Sequence, residues 1–404
     1  MKALLFERSI PRYAAARVAS SFAPGLGSRV GPLSLTDVAE PELPGPGWHR
    51  VRPRLAGICG SDLATVDGKS SRYFEPLVSF PFVPGHEVVG ELDDGSRVVL
   101  EPVLACPVRG VVPPCAACAA GHTDRCERLA FGHLEPGLQT GYCTDTGGGW
   151  STALVAHDSQ LHPVPDAMSD DAAVMVEPTA CAIHGALAAR AYGRTVLVLG
   201  AGTLGLCTVA ALRRYATPSA LLVAAKYPEQ RRLATDLGAD LVVNADEARR
   251  AVRRATSSLE VGSSLSGGVD VVVDCVGSQA SLAEDLAVVR PGGTVLLLGM
   301  PSTVLLDLTP LWQRQVNLRG SYAYGLEDTD ADAPITNGSG TNGSGGPRRT
   351  FDLAFDLVAE AGLERLVSVR YPLDRYREAI DHAAGAGRRG AVKVVFDLRG
   401  EKRR

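Results

Sequence analysis

The sequence predicts an α/β protein with two domains, one built on a doubly wound parallel sheet and the other mostly β. A chain of 404 residues exceeds what a single hydrophobic core usually supports. From about 178 to 321, apolar strands alternate with Ala-, Leu- and Arg-rich helical stretches, which is typical of a parallel sheet buried on both faces. Residues 1–177 are instead rich in Pro and Gly with short β-branched runs, a pattern that favours an irregular β domain.

Apolar runs mark the parallel strands of the second domain. They read TVLVLG at 195–200, ALLVAA at 220–225, DVVVDCVG at 270–277 and GTVLLLGM at 293–300. From 322 to 404 we expect a return to the first domain, with a helix at 350–362 and a final strand at 391–398. Residues 327–347 repeat NGSG and have hardly any large apolar side chains, so burial cannot offset their ordering entropy. They are predicted to form a flexible insertion.

Charge and hydropathy exclude two classes of partner. A formal net charge of −4 and a pI of about 6.1 provide no attraction for nucleic acid or an anionic membrane. No apolar run approaches the roughly 18 residues needed to cross a bilayer, and Glu7 and Arg8 interrupt the N-terminal stretch before a signal-peptide core can form. We therefore expect a cytoplasmic protein whose nine cysteines bind metal, pack in cores or take part in catalysis.

A phosphate-binding turn follows the first apolar strand. TVLVLGAGTLGLCTVAAL runs from strand into helix, and Gly200, Gly202 and Gly205 form GxGxxG at the junction. The first Gly permits the tight turn, the second lets the backbone approach a pyrophosphate, and the third allows close packing of helix on strand. The helix N-terminus then presents free N–H groups to the phosphates. The pattern predicts a Rossmann-type domain, with Thr203 and Leu204 also among the cofactor-binding residues.

The end of the second strand favours NADP over NAD. The carboxylate that usually lies about 20 residues after the glycine motif and binds the ribose is replaced by Ala225 and Lys226, with Arg231 nearby. An acid there would repel a 2′-phosphate, whereas Lys226 attracts one. We expect Lys226 and Arg231 to bind the cofactor, and the alternative is that Lys226 is a plain surface lysine. The basic run RRAVRR at 249–254 is interpreted as a solvated helix face.

A thiol and an imidazole in Gly-containing turns predict a metal site. Cys59 lies in GICGSD, and His86 lies in PGHE. Each stands near a carboxylate, Asp62 or Glu87, and such a pair can hold a Lewis-acidic zinc with one coordination position open. For His86 the alternative is a hydrogen-bonded core histidine.

The third ligand is expected where the first domain ends. Glu177 lies in VEPTACAIHG, at the seam between the two predicted domains, and a carboxylate there can reach a metal lodged between them. The alternative is that Glu177 is a helix-initiating acid before Pro178.

Taken in order, GICGSD, PGHE, a CxxC cluster, VEP and GAGTLG resemble the zinc-containing medium-chain alcohol and polyol dehydrogenases. The resemblance covers nearly the whole chain apart from the insertion at 327–347 and some extra residues near 10–32. It implies that the mostly β domain is a GroES-like catalytic domain. The implied organisation is a catalytic domain over 1–177, a Rossmann domain over 178–321, and a return to the catalytic domain over 322–404.

The resemblance implies a role for each residue of the metal site. Cys59 and His86 would be ligands of a catalytic zinc, and Glu177 matches the third ligand of the polyol and threonine dehydrogenase branches. Asp62 and Glu87 would orient His86 and adjust the charge at zinc, with Glu87 entering the ligand shell in some states.

The resemblance also implies a reaction. A secondary alcohol, polyol or cyclitol would lose its proton to Ser61 and a hydride to the nicotinamide, giving the ketone. Three positions after Ser61, many relatives have a His that relays the proton outward, whereas this chain has Ala64, which leaves the outer proton path open. Homodimers or homotetramers, paired through sheet edges of the nucleotide domain, are expected from the family.

A structural-zinc lobe is implied by CAACAAGHTDRC. Thiolates of Cys115 and Cys118 on a tight loop hold one side of a tetrahedron, and Cys126 closes it. The usual first Cys is replaced by Val112, so Cys106 is expected as the fourth ligand. The alternatives are Cys143, His122, an acid, a disulfide or a metal-free lobe.

Two rival functions remain. A zinc-independent reductase of activated alkenes or quinones shares this scaffold but lacks the Cys59 and His86 pair. A catalytically inactive nucleotide-binding protein is opposed by the presence of Cys59, Ser61 and His86 together. The expectation is an NADP-preferring dehydrogenase with one catalytic and one structural zinc.

Overall fold

The computed structural model describes residues 1–328 and 346–400 and divides the chain into two compact units. One unit contains Met1–Glu177 and resumes at Gly362, and the other is Pro178–Ala361. Within the described residues, no helix combines the length and apolar character needed to span a bilayer.

Short strands and short helices alternate in the first part of the chain. They are β1 (Lys2–Phe6), α1 (Ile10–Phe22), α2 (Gly27–Val30), β2 (Leu33–Asp37), β3 (Trp48–Gly57), α3 (Gly60–Val66), β4 (Val88–Glu91), β5 (Arg97–Leu100), α4 (Ala116–Ala119), β6 (Leu154–His157), β7 (Leu161–Pro163), α5 (Asp170–Ala173) and α6 (Val176–Ala188).

Longer helices separate the strands of the second unit. Its elements are β8 (Thr195–Leu199), α7 (Thr203–Ala211), β9 (Ala220–Ala224), α8 (Pro228–Asp236), β10 (Leu241–Val243), α9 (Ala248–Ala255), β11 (Glu260–Val261), β12 (Ser264–Leu265), β13 (Val269–Asp274), α10 (Gln279–Val288), β14 (Val289–Leu297), α11 (Thr309–Gln313), β15 (Asn317–Gly320), β16 (Leu326–Glu327), β17 (Arg348–Arg349) and α12 (Thr350–Ala361). The chain then ends in the first unit with β18 (Val367–Tyr371), α13 (Tyr376–Ala384) and β19 (Lys393–Asp397).

A mostly antiparallel sheet forms the centre of the first unit. Its strand order in the described residues is β18-β19-β3-β4-β5-β7, and β6 also pairs with β3. The C-terminal strand β19 runs antiparallel to β3, with Val395 opposite Gly57. Because β3 leads directly into Cys59 and α3, this pairing brings the last strand of the chain beside the predicted metal site. The mostly β character predicted for this domain is confirmed.

A parallel sheet forms the centre of the second unit, as predicted. The described strands follow the order β10-β9-β8-β13-β14-β15, and every neighbouring pair is parallel. The order in which the chain adds strands reverses at β8, because β9 lies on one side of β8 and β13 lies on the other. Ligands of such sheets bind at this switch point, beyond the carboxyl ends of the strands. The GAGTLG turn lies there.

The chain rejoins the first unit at 362, later than the predicted 322. The rings of Tyr324 and Phe351 pack edge to face with centroids 4.8 Å apart, and the Thr350 hydroxyl donates to Glu327 at 2.8 Å. The Tyr215 hydroxyl also donates to the carbonyl of Leu353 at 3.1 Å. These contacts hold residues 322–361 in the second unit because α12 buries its apolar face there. Most of the predicted insertion, 329–345, lies outside the described residues.

The extra residues near 10–32 form α1 and α2 and are anchored to the end of α3. The Asp67 carboxylate accepts hydrogen bonds from the backbone N–H groups of Gly25 and Gly27, at 3.0–3.1 Å. The Ser20 hydroxyl donates to the Asp67 carbonyl at 3.0 Å. Helices α1 and α2 therefore pack on the end of α3, the helix that carries Ser61.

Candidate active site

The side chain of Asp62, in the first turn of α3, holds Cys59 at the start of that helix. The Asp62 carboxylate accepts a hydrogen bond from the Cys59 backbone N–H at 2.9 Å, which satisfies a donor that the helix leaves unpaired. Asp62 is buried, so this bond is shielded from water. The thiol position is thus determined by a local cap that the sequence GICGSD already contains.

His86 is presented by a turn that only glycine can form. Gly85 has φ +97°, and a Cβ at that position would lie 2.4 Å from Trp150 Cδ1. Trp150 is fully buried and donates from Nε1 to the Gly57 carbonyl at 3.1 Å, so the same ring also holds the end of β3. The tryptophan therefore positions both segments that carry Cys59 and His86.

The two ring nitrogens of His86 face different groups. Nε2 lies 3.5 Å from Ser61 Oγ, and Nδ1 lies 3.5 Å from Asp62 Oδ1. The second distance is too long for a good hydrogen bond, and both of its atoms are buried without a partner. Burial lowers the pKa of His86, but Asp62 and Cys59 outweigh it and raise the pKa well above its usual value. An imidazole flanked by the Asp62 carboxylate and the Ser61 oxygen suits the binding of a cation.

The Glu87 carboxylate forms a buried ion pair with Lys393. Both side chains are about 2% exposed, and the Lys393 ammonium also lies 3.5 Å from the Ile58 carbonyl. Burial lowers the pKa of Lys393, but the negative charges of Glu87 and Cys59 raise it overall. The Glu87 carboxylate thus neutralises Lys393 beside Cys59, and its role in orienting His86 stays a prediction.

Lys393 is a site residue that the sequence analysis missed. It lies in the apolar strand AVKVVFDL, where a lysine inside a strand with buried neighbours was the available signal. A fully buried lysine requires a paired anion, so its presence predicts a nearby carboxylate. The identity of that carboxylate depends on the pairing of β19 with β3.

Glu177 is buried near the start of α6, and its charge reaches Lys393. Among the described residues, three or more possible ligand atoms come within 4.8 Å of one another only in the cysteine cluster described below. The structure brings Cys59 and His86 together, and Glu177 as the third ligand stays a prediction.

Cys106 joins Cys115, Cys118 and Cys126 in a cluster whose sulfur atoms all lie within 4.8 Å of one another. Cys106 Sγ and Cys126 Sγ are 3.7 Å apart. Zn–S bonds of about 2.3 Å in a tetrahedron place sulfurs about 3.8 Å apart, so the cluster has the dimensions of a zinc site. Among the described residues, neither Cys143 nor His122 belongs to this set.

The protonation properties of the cluster also suit a cation. Backbone N–H groups donate to the sulfurs of Cys106 and Cys126 at 3.4 Å. Burial raises the pKa of Cys115, but nearby backbone N–H groups lower it to about 7. Burial, together with the neighbouring thiols, raises the pKa of Cys118 and of Cys126. A divalent cation would remove this conflict between crowded thiolates.

A fully buried arginine holds the loops around the cysteine cluster. The Arg109 guanidinium donates to backbone carbonyls at 2.6–3.2 Å, and it has no carboxylate partner among its described hydrogen bonds. The acceptors are Leu104, Phe131, Leu134, Glu135 and Gly137. Its guanidinium N–H groups bond backbone carbonyls of an irregular segment, where no strand or helix supplies a backbone partner.

The glycine turn of the second unit has the geometry expected of a phosphate site. Gly200 has φ +91°, and a Cβ there would lie 2.5 Å from Val276. A Cβ on Gly205 would lie 2.0 Å from the Gly200 carbonyl, so this glycine permits close helix packing. Gly202 has open space where a Cβ would be, which leaves room for a ligand beside the start of α7.

A cavity of about 1040 Å³ opens beside this turn. Leu199, Gly200, Ala201 and Gly202 line it, together with Lys226 and Tyr227. Thr203 and Leu204 begin α7 behind Gly202 and do not line the cavity, and neither does Gly205. Cofactor binding by Thr203, Leu204 and Gly205 stays a prediction.

Arg231 bonds the backbone just after β9. Its guanidinium donates to the carbonyls of Ala225 and Lys226 at 3.0–3.1 Å, and it does not line the cavity. These two bonds hold the backbone at Lys226, and binding of the cofactor by Arg231 stays a prediction. Arg249, Arg250 and Arg253 line the cavity instead, so RRAVRR is more than a solvated helix face.

Comparison with known proteins gives the family. Residues 45–166 match the alcohol dehydrogenase GroES-like domain, and residues 203–335 match the zinc-binding dehydrogenase domain. Sorbitol dehydrogenase of Arabidopsis thaliana is 30% identical over 383 residues, covering 88% of this chain and 90% of the relative. The chain belongs to the zinc-containing medium-chain dehydrogenase family. The predicted resemblance, the Rossmann-type and GroES-like domains, and the class of zinc alcohol or polyol dehydrogenase are confirmed.

Other members of the family show the same extent of similarity. L-threonine 3-dehydrogenase of Streptomyces avermitilis is 30% identical, covering 90% of this chain and 96% of the relative. L-idonate 5-dehydrogenase of Vitis vinifera is 28% identical over 88% and 89% of the two chains. A crystal structure from Sinorhizobium meliloti 1021, described as a zinc-binding dehydrogenase bound to NADP, has a TM-score of 0.66 at 26% identity over 90% and 96%.

Cys106→Ser should weaken the cysteine cluster, because a hydroxyl is a poorer zinc ligand than a thiolate. We expect the zinc content to fall by about one ion per chain and the unfolding temperature to fall by about 5 °C or more. Elemental analysis and thermal unfolding measure both. Cys143→Ser is the matched control, since Cys143 is equally buried but outside the cluster. Equal zinc content and stability in the two variants would contradict the assignment.

Lys393→Met should destabilise the protein by about 3–5 kcal/mol, because it leaves the buried Glu87 carboxylate without a counter-ion. Chemical denaturation measures the loss in free energy of unfolding. The double variant Lys393→Met/Glu87→Gln removes both charges and should recover much of that loss. A double variant less stable than Lys393→Met would show that the two side chains are not coupled as a pair.

Proposed function

We propose that this chain oxidises a secondary hydroxyl of a polyol or cyclitol to the ketone, and reduces the ketone in reverse, with NADP as hydride carrier. The observation that carries the proposal is the placement of Cys59, His86 and the Ser61 hydroxyl together at the start of α3, with Nε2 of His86 3.5 Å from Ser61 Oγ. This arrangement offers two metal ligands and a hydroxyl for the substrate oxygen in one place.

Cys59, His86 and Glu177 would hold the catalytic zinc in this proposal. When bound, zinc acts as a Lewis acid that lowers the pKa of a coordinated alcohol. Asp62 holds the Cys59 backbone and faces Nδ1 of His86, so it favours the tautomer that leaves Nε2 free to bind. Lys393 partly offsets the negative charge of Cys59 and Glu177. Cys106, Cys115, Cys118 and Cys126 would hold the structural zinc.

In this proposal Ser61 would accept the proton of the substrate hydroxyl while passing its own proton onward, and a bound nicotinamide would accept the carbon-bound hydrogen as hydride. The coenzyme pyrophosphate would lie at the N-terminus of α7, where Gly202 leaves open space.

The preference for NADP rests on the charges around the cavity of the second unit. Lys226 lies after β9, where an NAD-selecting carboxylate usually lies, and Arg231 holds its backbone. Arg249, Arg250 and Arg253 add positive charge to the same cavity, each beside a Glu partner. The Sinorhizobium meliloti relative bound to NADP supports the same choice.

The polyol substrate class rests on the relatives and on Glu177. The similar proteins named above act, by their names, on sorbitol and L-idonate, and Glu177 matches the third-ligand position of the polyol branch. A homodimer or homotetramer of cytoplasmic location is the accompanying proposal. All residues of the edge strand β15 are exposed, which suits strand pairing between two copies.

Cys59→Ala should abolish dehydrogenase activity, with kcat/KM falling at least about 1,000-fold, because the metal loses its thiolate ligand. The measurement is NADP⁺ reduction with a panel of sorbitol, xylitol and 2,3-butanediol. Cys181→Ala, at a cysteine in α6 outside both proposed metal sites, is the control and should retain activity. Coenzyme binding, followed by NADPH fluorescence, should be unchanged in both variants. Full activity in Cys59→Ala would remove the thiol from the mechanism.

Lys226→Asp should shift coenzyme preference toward NAD, because the new carboxylate repels a 2′-phosphate and can bond a ribose hydroxyl. We expect the ratio of kcat/KM for NADP⁺ over NAD⁺ to fall about tenfold or more. Arg365→Asp changes the charge equally at an exposed site of the first unit and should leave the ratio as it is. An unaltered ratio in Lys226→Asp would place the lysine outside the coenzyme site.

A further inference from the structure

Ala64 raises the question of how a proton leaves Ser61. The side chain of Ala64 can neither accept nor donate a proton, and the described hydrogen-bond partner of Ser61 Oγ is His86, a proposed metal ligand. A proton accepted by Ser61 from the substrate must nevertheless reach solvent in every turnover. The proton must therefore pass through other groups near Ser61.

Three hydroxyl groups form a continuous chain that starts at Ser61. The Tyr142 hydroxyl lies 3.2 Å from Thr65 Oγ1, and the Thr65 hydroxyl also bonds the Ser61 carbonyl at 2.9 Å, which places Tyr142 beside Ser61. Thr65 Oγ1 in turn lies 2.9 Å from Ser70 Oγ. Tyr142 and Thr65 are buried, whereas Ser70 is half-buried, so the chain runs from the interior toward the surface.

Each member of the chain is held in place by independent contacts. Thr65 lies one helical turn after Ser61 and bonds the Ser61 carbonyl at 2.9 Å. The Tyr142 ring packs against Phe82 and His86, with centroids 5.3 Å and 6.2 Å away. The hydroxyl positions are therefore determined by packing and not by the hydroxyls alone.

The inserted helix α1 supports the outer end of the chain. The Tyr13 hydroxyl donates to the Ser70 carbonyl at 3.4 Å, and Arg17 donates to the Gly68 carbonyl at the same distance. Gly68 has φ +66°, and a Cβ there would lie 2.7 Å from the Tyr13 carbonyl, so α1 packs directly on this turn. The extra residues near 10–32 thus hold Ser70 in place.

We propose that Tyr142, Thr65 and Ser70 relay the substrate proton from Ser61 to solvent, in place of an imidazole. The proposal rests on the dehydrogenase function proposed above. Tyr142 is the relay group next to Ser61, and Thr65 and Ser70 carry the proton outward. Burying the Tyr142 hydroxyl without a hydrogen-bond partner would cost free energy, and its hydrogen bond with Thr65 removes that cost.

One proton enters the relay at Ser61 and one proton leaves it at Ser70, so the protein keeps the same number of protons. Ser61 takes the substrate proton and gives its own to the Tyr142 oxygen, Tyr142 gives its proton to Thr65, and Thr65 gives its proton to Ser70. Ser70 releases a proton to water or a buffer base, and the electron pair of the broken C–H bond leaves with the hydride. For this transfer the Thr65 hydroxyl turns from the Ser61 carbonyl to Ser70, since it donates one hydrogen bond at a time. A second reorientation restores the starting state.

The test compares Tyr142→Phe and Thr65→Val with variants that keep the relay. Thr65→Ser retains a hydroxyl at the central position. Tyr376→Phe removes another buried phenol hydroxyl from the same unit, away from Ser61. The substrate is whichever of sorbitol, xylitol and 2,3-butanediol the wild type oxidises fastest with NADP⁺. Zinc content and unfolding temperature confirm that each variant is folded and loaded.

We expect kcat for oxidation to fall about tenfold in Tyr142→Phe and Thr65→Val, with KM nearly unchanged. Added imidazole, a small buffer base, should restore kcat in both, because it accepts the proton that the broken chain cannot carry. In a single turnover followed with a pH indicator, proton release should lag behind NADPH formation in both variants and coincide with it in Thr65→Ser and Tyr376→Phe.

Two results would overturn the relay, and they are distinguishable. If the wild type oxidises a polyol but Tyr142→Phe and Thr65→Val match Tyr376→Phe in kcat, imidazole response and proton release, the relay is wrong and the dehydrogenase function stands. If the zinc-loaded wild type binds NADPH but oxidises none of the three alcohols, the proposed function fails and the relay fails with it.

Discussion

The buried ion pair between Glu87 and Lys393 is the constraint on which the first unit depends. It joins the turn after PGHE to the last strand of the chain, and that strand pairs with β3, which leads into Cys59. Two charges buried at this depth persist only as a pair, because either one alone would carry a large desolvation penalty. The pair therefore holds the C-terminal strand, the thiol and the imidazole in one arrangement.

The same arrangement explains the distribution of polar groups around it. Asp62 caps α3 and faces His86, so one carboxylate serves both segments of the proposed metal site. Trp150 fills the space beside Gly85 and bonds the end of β3. Ala64 offers no polar side chain near Ser61, whereas Thr65 and Tyr142 bring two hydroxyls beside it. The inserted α1 then becomes part of the site's support and not only an addition to its surface.

Much of the fold and part of the site follow from local sequence patterns. Apolar strands predict the parallel sheet because a sheet covered on both faces excludes polar side chains, and GAGTLG predicts the phosphate turn because its glycines meet backbone atoms at distances no Cβ allows. Cys106 was expected in the cysteine cluster, and the structure brings it there. Arg231 bonds the backbone carbonyls of Ala225 and Lys226, a contact that no spacing rule reveals.

By itself, the sequence determined the two-domain α/β class, the family and the residue types of the proposed metal and nucleotide sites, because these depend on periodicity and short-range spacing. Only the tertiary structure decided which distant residues meet. Lys393 reaches Glu87, Tyr142 reaches Thr65, and residues 322–361 pack with the second unit. Such pairings depend on strand register and on burial, and charges or hydroxyls far apart in sequence find partners only when the folded core removes them from water.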